Sequence, residues 1–155
     1  MSDRDKEFRA FHIAKLNPSR DKRETAFMKI SRRGLLMRLV KECEFRDIRL
    51  ASLERLNSRE LRKLSTEEQA FYLKLALVDR DPQVRMTSVT RIDPNSRSSL
   101  LSSLYADVRL FLAQTTTKRE DLLRLLLDKA PEVRTEAEKS LNKSSVKNTQ
   151  EFSMN

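Results

Sequence analysis

The sequence predicts an all-α protein built of stacked helical repeats, on three observations. The chain of 155 residues holds one glycine and four prolines; a sheet protein needs glycine and similar turn residues at many hairpins, which argues against an all-β architecture. Leu and Arg are abundant, with Lys, Glu and Ala well represented, and these are strong helix formers. A β-branched residue followed by arginine recurs at Ile48-Arg49, Val84-Arg85, Val108-Arg109 and Val133-Arg134. The arginines lie 36, 24 and 25 residues apart, a period expected of repeats that bury their apolar stripes on one another.

The elements follow in order. Phe8 and Phe11, with Ala14, lie on one face of a short helix that Asn17-Pro18-Ser19 breaks. A second helix is expected over Asp21–Ile30, then a turn at Ser31-Arg32-Arg33-Gly34. Leu35–Cys43 and Arg46–Leu56 carry apolar periodicity, and Ser58 is placed to cap a short helix through Leu61 and Leu64. Ser65-Thr66-Glu67-Glu68 reads as a capping box opening a helix to about Asp79. Asp81-Pro82 starts the next helix, because Asp is a good N-cap and Pro at the first helical position gives up an N–H with no partner there. Asp93-Pro94-Asn95-Ser96 ends it, and short helices are expected at Leu100–Leu104 and Asp107–Ala113. Thr117-Lys118-Arg119-Glu120 reads as another capping box opening Asp121–Asp128, and Pro131 opens a helix through Leu141. From about residue 142 the composition turns to Ser, Lys, Asn, Thr and Gln, and a disordered tail is expected over 142–155. The expected organisation is one helical domain over 1–141, with a basic N-terminal helical region, 1–35, and repeats over 36–141.

Alignment on the Val or Ile tests the repeat. Eight residues before it stand Val40, Ala76, Leu100 and Leu125, all apolar. Pro82 and Pro131 match two before it, and Asp79 and Asp128 five before it. Each block reads as one helix, a tight corner and a second helix. The segments from Asp79 to Arg85 and from Asp128 to Arg134 resemble HEAT-like repeats. The 24-residue interval resembles the leucine-rich repeat variant, a shorter relative. The resemblance covers residues 36–141, best 73–141. It implies a right-handed α-solenoid whose concave face binds a macromolecule. Some variant-repeat proteins carry an iron–sulfur cluster; with Cys43 alone, no cofactor is inferred here.

Charge narrows the function classes. Charged residues make up 35% of the chain and the net charge is +9. Residues 1–41 hold 12 Lys/Arg against 5 Asp/Glu, whereas 42–155 hold 20 against 18, so the excess belongs to the first quarter. Lys15, Arg20, Lys22, Arg23, Lys29, Arg32, Arg33, Arg38 and Lys41 form the candidate binding cluster, with Asp21 and Glu24 the only acids among residues 15–41. Such a cluster suits an acidic protein surface or phosphates, or it is a solvated face. Ala26–Leu39, two short helices around Gly34, leaves a helix-turn-helix open. Arg49, Arg85, Arg109 and Arg134 with Asp79 and Asp128 are read as a structural ladder in preference to ligand contacts, each arginine tied to an acid at a neighbouring corner. His12 is the single histidine and lies far in sequence from Cys43, which reads as a small buried hydrophobe. No apolar run approaches 18 residues, so no membrane span is expected. The lone cysteine fits a reducing, cytoplasmic setting. No motif names a reaction. The expectation is therefore a non-enzymatic binding or adaptor module that docks a protein, with DNA or RNA binding through the basic region as the alternative. HEAT-like glycosylases make an enzyme a minor third reading, against which stand the absence of Trp and the short chain.

Overall fold

The computed structural model describes residues 1–58 and 63–152, with side chains to residue 143. Every element among the described residues is helical. The chain divides into two compact units, Met1–Lys63 and Leu64–Asn155.

The first unit holds α1 (Asp3–Leu16), α2 (Arg20–Met28), α3 (Arg33–Glu42) and α4 (Arg46–Ser58). α1 pairs with α2 and α3 with α4, while α1 packs on α3 and α2 on α4. Its core is Phe11, Ala14, Phe27, Ile30, Leu36, Leu39, Ile48 and Leu53. The second unit holds α5 (Thr66–Val78), α6 (Pro82–Arg91), a 3-10 helix (Pro94–Ser102), α7 (Ala106–Thr115), α8 (Arg119–Leu125) and α9 (Pro131–Phe152). Here the pairs are α5 with α6, the 3-10 helix with α7, and α8 with α9. First helices pack on first helices and second on second, α6 on α7 and α7 on α9. Within each unit one pair thus hides its stripe on the next, as a helical pair with one apolar face must. The first pair, α1 and α2, belongs to this pattern; the N-terminal region is built like the blocks that follow it.

Local chemistry explains most boundaries. Ser2 and Ser65 both form capping boxes, with Asp5 and Glu68. Asp81 accepts from the N–H groups of Gln83 and Val84 and Pro82 fills the first turn of α6. Other expectations are corrected. Lys118, not Thr117, is the N-cap of α8 and no side chain caps it; Thr116 Oγ1 takes the Lys118 N–H instead. Gly34 lies inside the first turn of α3, not in the preceding turn. Asp93-Pro94 ends one helix and also begins the 3-10 helix, displacing the helix expected at Leu100–Leu104. α9 spans Pro131–Phe152, and no Gly or Pro follows Pro131 to stop it. The short helix expected from Ser58 through Leu61 falls on 59–62, outside the described residues; Leu64 is buried.

One carboxylate pins the first unit together. Glu7 of α1 accepts from the N–H of Ser31 at 2.5 Å, the N–H of Arg32 at 2.6 Å and Arg32 Nε at 2.6 Å. Burial alone would raise its pKa. The Arg32 and Ser31 donors outweigh it and hold Glu7 at about 2, against an ordinary 4.5. Glu42, held by Arg38 and Lys15, also sits at about 2. Both values are depressed by folding, so their stabilisation is full above about pH 4.5 and is lost as pH falls towards 2. Urea unfolding is expected to show stability falling across that window, and Glu7→Gln to flatten the fall; a variant with the wild-type acid slope would count against this assignment.

A ladder of arginines and a basic groove

A single arrangement repeats at the corners. Four corners are three residues long, 17–19, 43–45, 79–81 and 103–105; the fifth is 126–130. The fourth residue of the second helix is arginine in all five pairs: Arg23, Arg49, Arg85, Arg109 and Arg134. Arg23, Arg85 and Arg134 reach back with Nη1 to the carbonyls six and five residues earlier. These are Asn17 and Pro18 at 3.1 and 2.9 Å, Asp79 and Arg80 at 2.8 and 3.2 Å, and Asp128 and Lys129 at 2.6 and 3.1 Å. Arg109 takes the Ser103 carbonyl at 2.6 Å, and Arg49 donates from Nε to Val40. The guanidinium therefore satisfies carbonyls left open where the first helix ends.

The other side of the guanidinium binds a carboxylate of the next pair. Arg23 Nη2 meets Asp47 at 3.2 Å, Arg85 Nη2 meets Asp107 at 2.6 Å, and Arg109 meets Asp128 through Nε and Nη2 at 2.6 and 3.0 Å. Phe45 and Tyr105 stack 3.7 Å from the guanidinium carbons of Arg23 and Arg85. Hydrogen bonding to Asp128 raises the Arg109 pKa, and the same bond lowers that of Asp128. The corner residue has its own task. Asn17, Asp79, Ser103 and Asp128 each accept the N–H two residues on, an Asx-type or Ser-type turn. Cys43 takes this place in the second pair and is hydrogen-bonded by the Phe45 backbone. Burial pushes its thiol pKa up, and the residue is 4% exposed. Asp79 thus serves its own corner through its carboxylate, and Arg85 through its carbonyl, while Asp107 is the acid that Arg85 grips.

The basic cluster does not form one surface. Arg23 is buried in the ladder. Lys15 and Arg38 share Glu42 at 2.7 and 2.9 Å, Arg20 pairs with Glu24 at 2.7 Å, and Arg32 pairs with Glu7. Arg33 is half-buried and Lys41 exposed, and both have partners. Lys22 and Lys29 are exposed on α2 and make no ion pair among the described residues. They border a groove of about 740 Å³ between α1 and α2, faced across it by Lys6 and Arg9 of α1. Its floor is Ala10, Ile13 and Ala26, and Asp21 is the acid on its edge. Lys6 also reaches the exposed Asp3 at 3.0 Å. Lys6 and Arg9 fall outside the interval chosen from sequence; their signal is the i, i+3 spacing that puts both on one face of α1. His12 is exposed and lies edge-on to Phe8, 4.7 Å between ring centres.

Fold and site define an all-α protein with a structural arginine ladder and a cationic, apolar-floored groove. No helix among the described residues is long and apolar enough to cross a membrane. Comparison with family models, curated proteins and solved structures finds no match for the chain, so the HEAT-like resemblance stands on its residues alone.

Proposed function

We propose that the protein is a non-enzymatic helical-repeat adaptor that docks an acidic, amphipathic segment of a protein partner in the groove between α1 and α2. The observation that carries this reading is the pairing of an apolar floor, Ala10, Ile13 and Ala26, with a rim of Lys6, Arg9, Lys22 and Lys29. Apolar side chains would fill the floor while carboxylates meet the rim, the helix-in-groove mode of recognition. The two-layer packing of pairs supports stacked repeats of the HEAT-like or leucine-rich-repeat-variant kind, with the right-handed sense which that resemblance implies. A cytoplasmic setting accords with the buried thiol.

Anisotropy titration with an amphipathic helical peptide, Glu on one face and Leu on the other, tests the reading beside a duplex DNA of random sequence. The peptide is expected to bind, and Arg9→Glu with Lys29→Glu to weaken it by at least about tenfold without loss of helicity. Nucleic-acid binding is the second reading, favoured by the rim charge alone. If all four rim cations met phosphates, log K would fall by about 3.6 per decade of salt. DNA binding tighter than peptide with that slope would replace the first reading; no binding of either would end both.

A further inference from the structure

The ladder has two half-finished members, and they are complementary. Arg134 makes the first half of the arrangement, Nη1 on the Asp128 and Lys129 carbonyls. Its guanidinium is therefore held in the pose of Arg85 and Arg109, yet Arg134 is exposed and its Nε and Nη2 meet no carboxylate among the described residues. Asp21 is the opposite case. It stands two residues before Arg23, as Asp47 stands before Arg49 and Asp107 before Arg109. Asp47 and Asp107 are gripped by the arginine of the preceding pair. Asp21 is exposed and makes no ion pair among the described residues.

Two further positions break the aliphatic pattern with opposite charge. Lys22 occupies the place held elsewhere by Ile48, Val84, Val108 and Val133, all buried. Glu138 occupies the place of Leu53, Val89 and Ala113, again buried, and is itself exposed. Glu138 lies four residues after Arg134, on the same face of α9, and Lys22 adjoins Asp21. The first and the last pair therefore each carry one positive and one negative group at these positions.

We propose that a second copy of this chain docks head to tail, Asp21 of one molecule seated on Arg134 of the next and Lys22 facing Glu138, continuing the ladder between molecules. Such a contact joins two different surfaces, so it closes into a ring or runs on as a filament according to its rotation. The inference does not rest on the groove reading. Asp21 and Lys22 border the groove, however, so a docked copy and a docked acidic segment would compete, and the test is made on the protein alone.

Sedimentation velocity of the full chain at low salt, over a wide concentration range, is the experiment. The wild type is expected to associate reversibly and to dissociate as salt rises. Asp21→Lys and Arg134→Gln, both at exposed positions, are each expected to weaken association by at least about tenfold with unchanged far-UV circular dichroism. An equimolar mixture of the two variants is the discriminating sample. One supplies an intact Arg134 and the other an intact Asp21, so the mixture forms a dimer and nothing larger. A wild type that stays monomeric throughout overturns the proposal. So do variants that associate like the wild type, or a mixture that fails to pair or grows beyond the dimer.

Discussion

Arg109→Met is expected to lower the unfolding free energy by about 3–5 kcal/mol, the cost of leaving one member of a buried ion pair without the other. The side chains of Arg109 and Asp128 are 5% and 7% exposed, with 2.6 Å between Nε and the carboxylate. Asp128 would remain in place with a charge that solvent barely reaches. The Ser103 carbonyl would lose its 2.6 Å donor as well. A loss of this size is a large part of the 5–15 kcal/mol that an ordinary domain possesses. The double variant R109M/D128N is expected to be less destabilised than R109M alone, because no unpaired carboxylate is left while an amide oxygen still serves the Ala130 N–H. Urea denaturation of wild type, single and double variants measures both. An R109M variant within about 0.5 kcal/mol of wild type, the range of ordinary surface substitutions, would mean the ladder does not brace the second unit.

Arg23→Glu is the second large effect, and it separates two meanings of the same residue. As part of a basic surface, Arg23 would affect binding and leave folding alone. In the structure it is 7% exposed, donates to the Asn17 and Pro18 carbonyls, pairs with Asp47 and stacks on Phe45. A glutamate there would face Asp47, whose side chain is 33% exposed, and two carbonyl oxygens, like charge against like. The expected loss is about 3–5 kcal/mol, seen as a lowered urea midpoint. Lys22→Glu, one residue away and exposed, is expected to stay within about 0.5 kcal/mol. Equal stability of the two variants would return Arg23 to the surface. Arg23 Nε is buried without a partner among the described residues, whereas Nε of Arg85 and Arg109 binds carboxylate. The first rung is the less complete one, and the low end of the range is the expectation.

Periodicity made the helices and four of the five ladder arginines legible. The Val-Arg pairs mark the second helix of each block because a buried aliphatic and a corner-bracing guanidinium are both needed at its first turn. The first block escaped because Lys22 stands where the aliphatic should be, and because Arg23 sits among eight other cations whose sum invited a surface reading. Charge totals carry no information about which acid lies across a helix interface. Glu42 neutralises Lys15 from 27 residues away, and Glu7 holds Arg32 from 25 residues away. Only packing brings them together. The ladder acid was sought at Asp79 and Asp128 because they recur in register. Asp47 and Asp107 recur as well, two before the arginine, but that signal shows only once the next pair is known to lie against the last. The groove was missed for a related reason: Arg9 and Lys29 become neighbours only when α1 and α2 lie side by side.

The 3-10 helix of the second unit has a consequence for how such a chain changes length. A 3-10 helix advances about 2.0 Å per residue against about 1.5 Å in an α-helix. Its nine residues therefore extend about 18 Å, close to the 19.5 Å or so reached by the 13 residues of α5. Overwinding one segment lets a block shed residues while its two corners stay the same distance apart. Deletions and insertions can then be absorbed by a change of pitch, in the layer away from the arginines, without moving a guanidinium off its carboxylate. Sequence length is elastic in this chain; the spacing of its rungs is not.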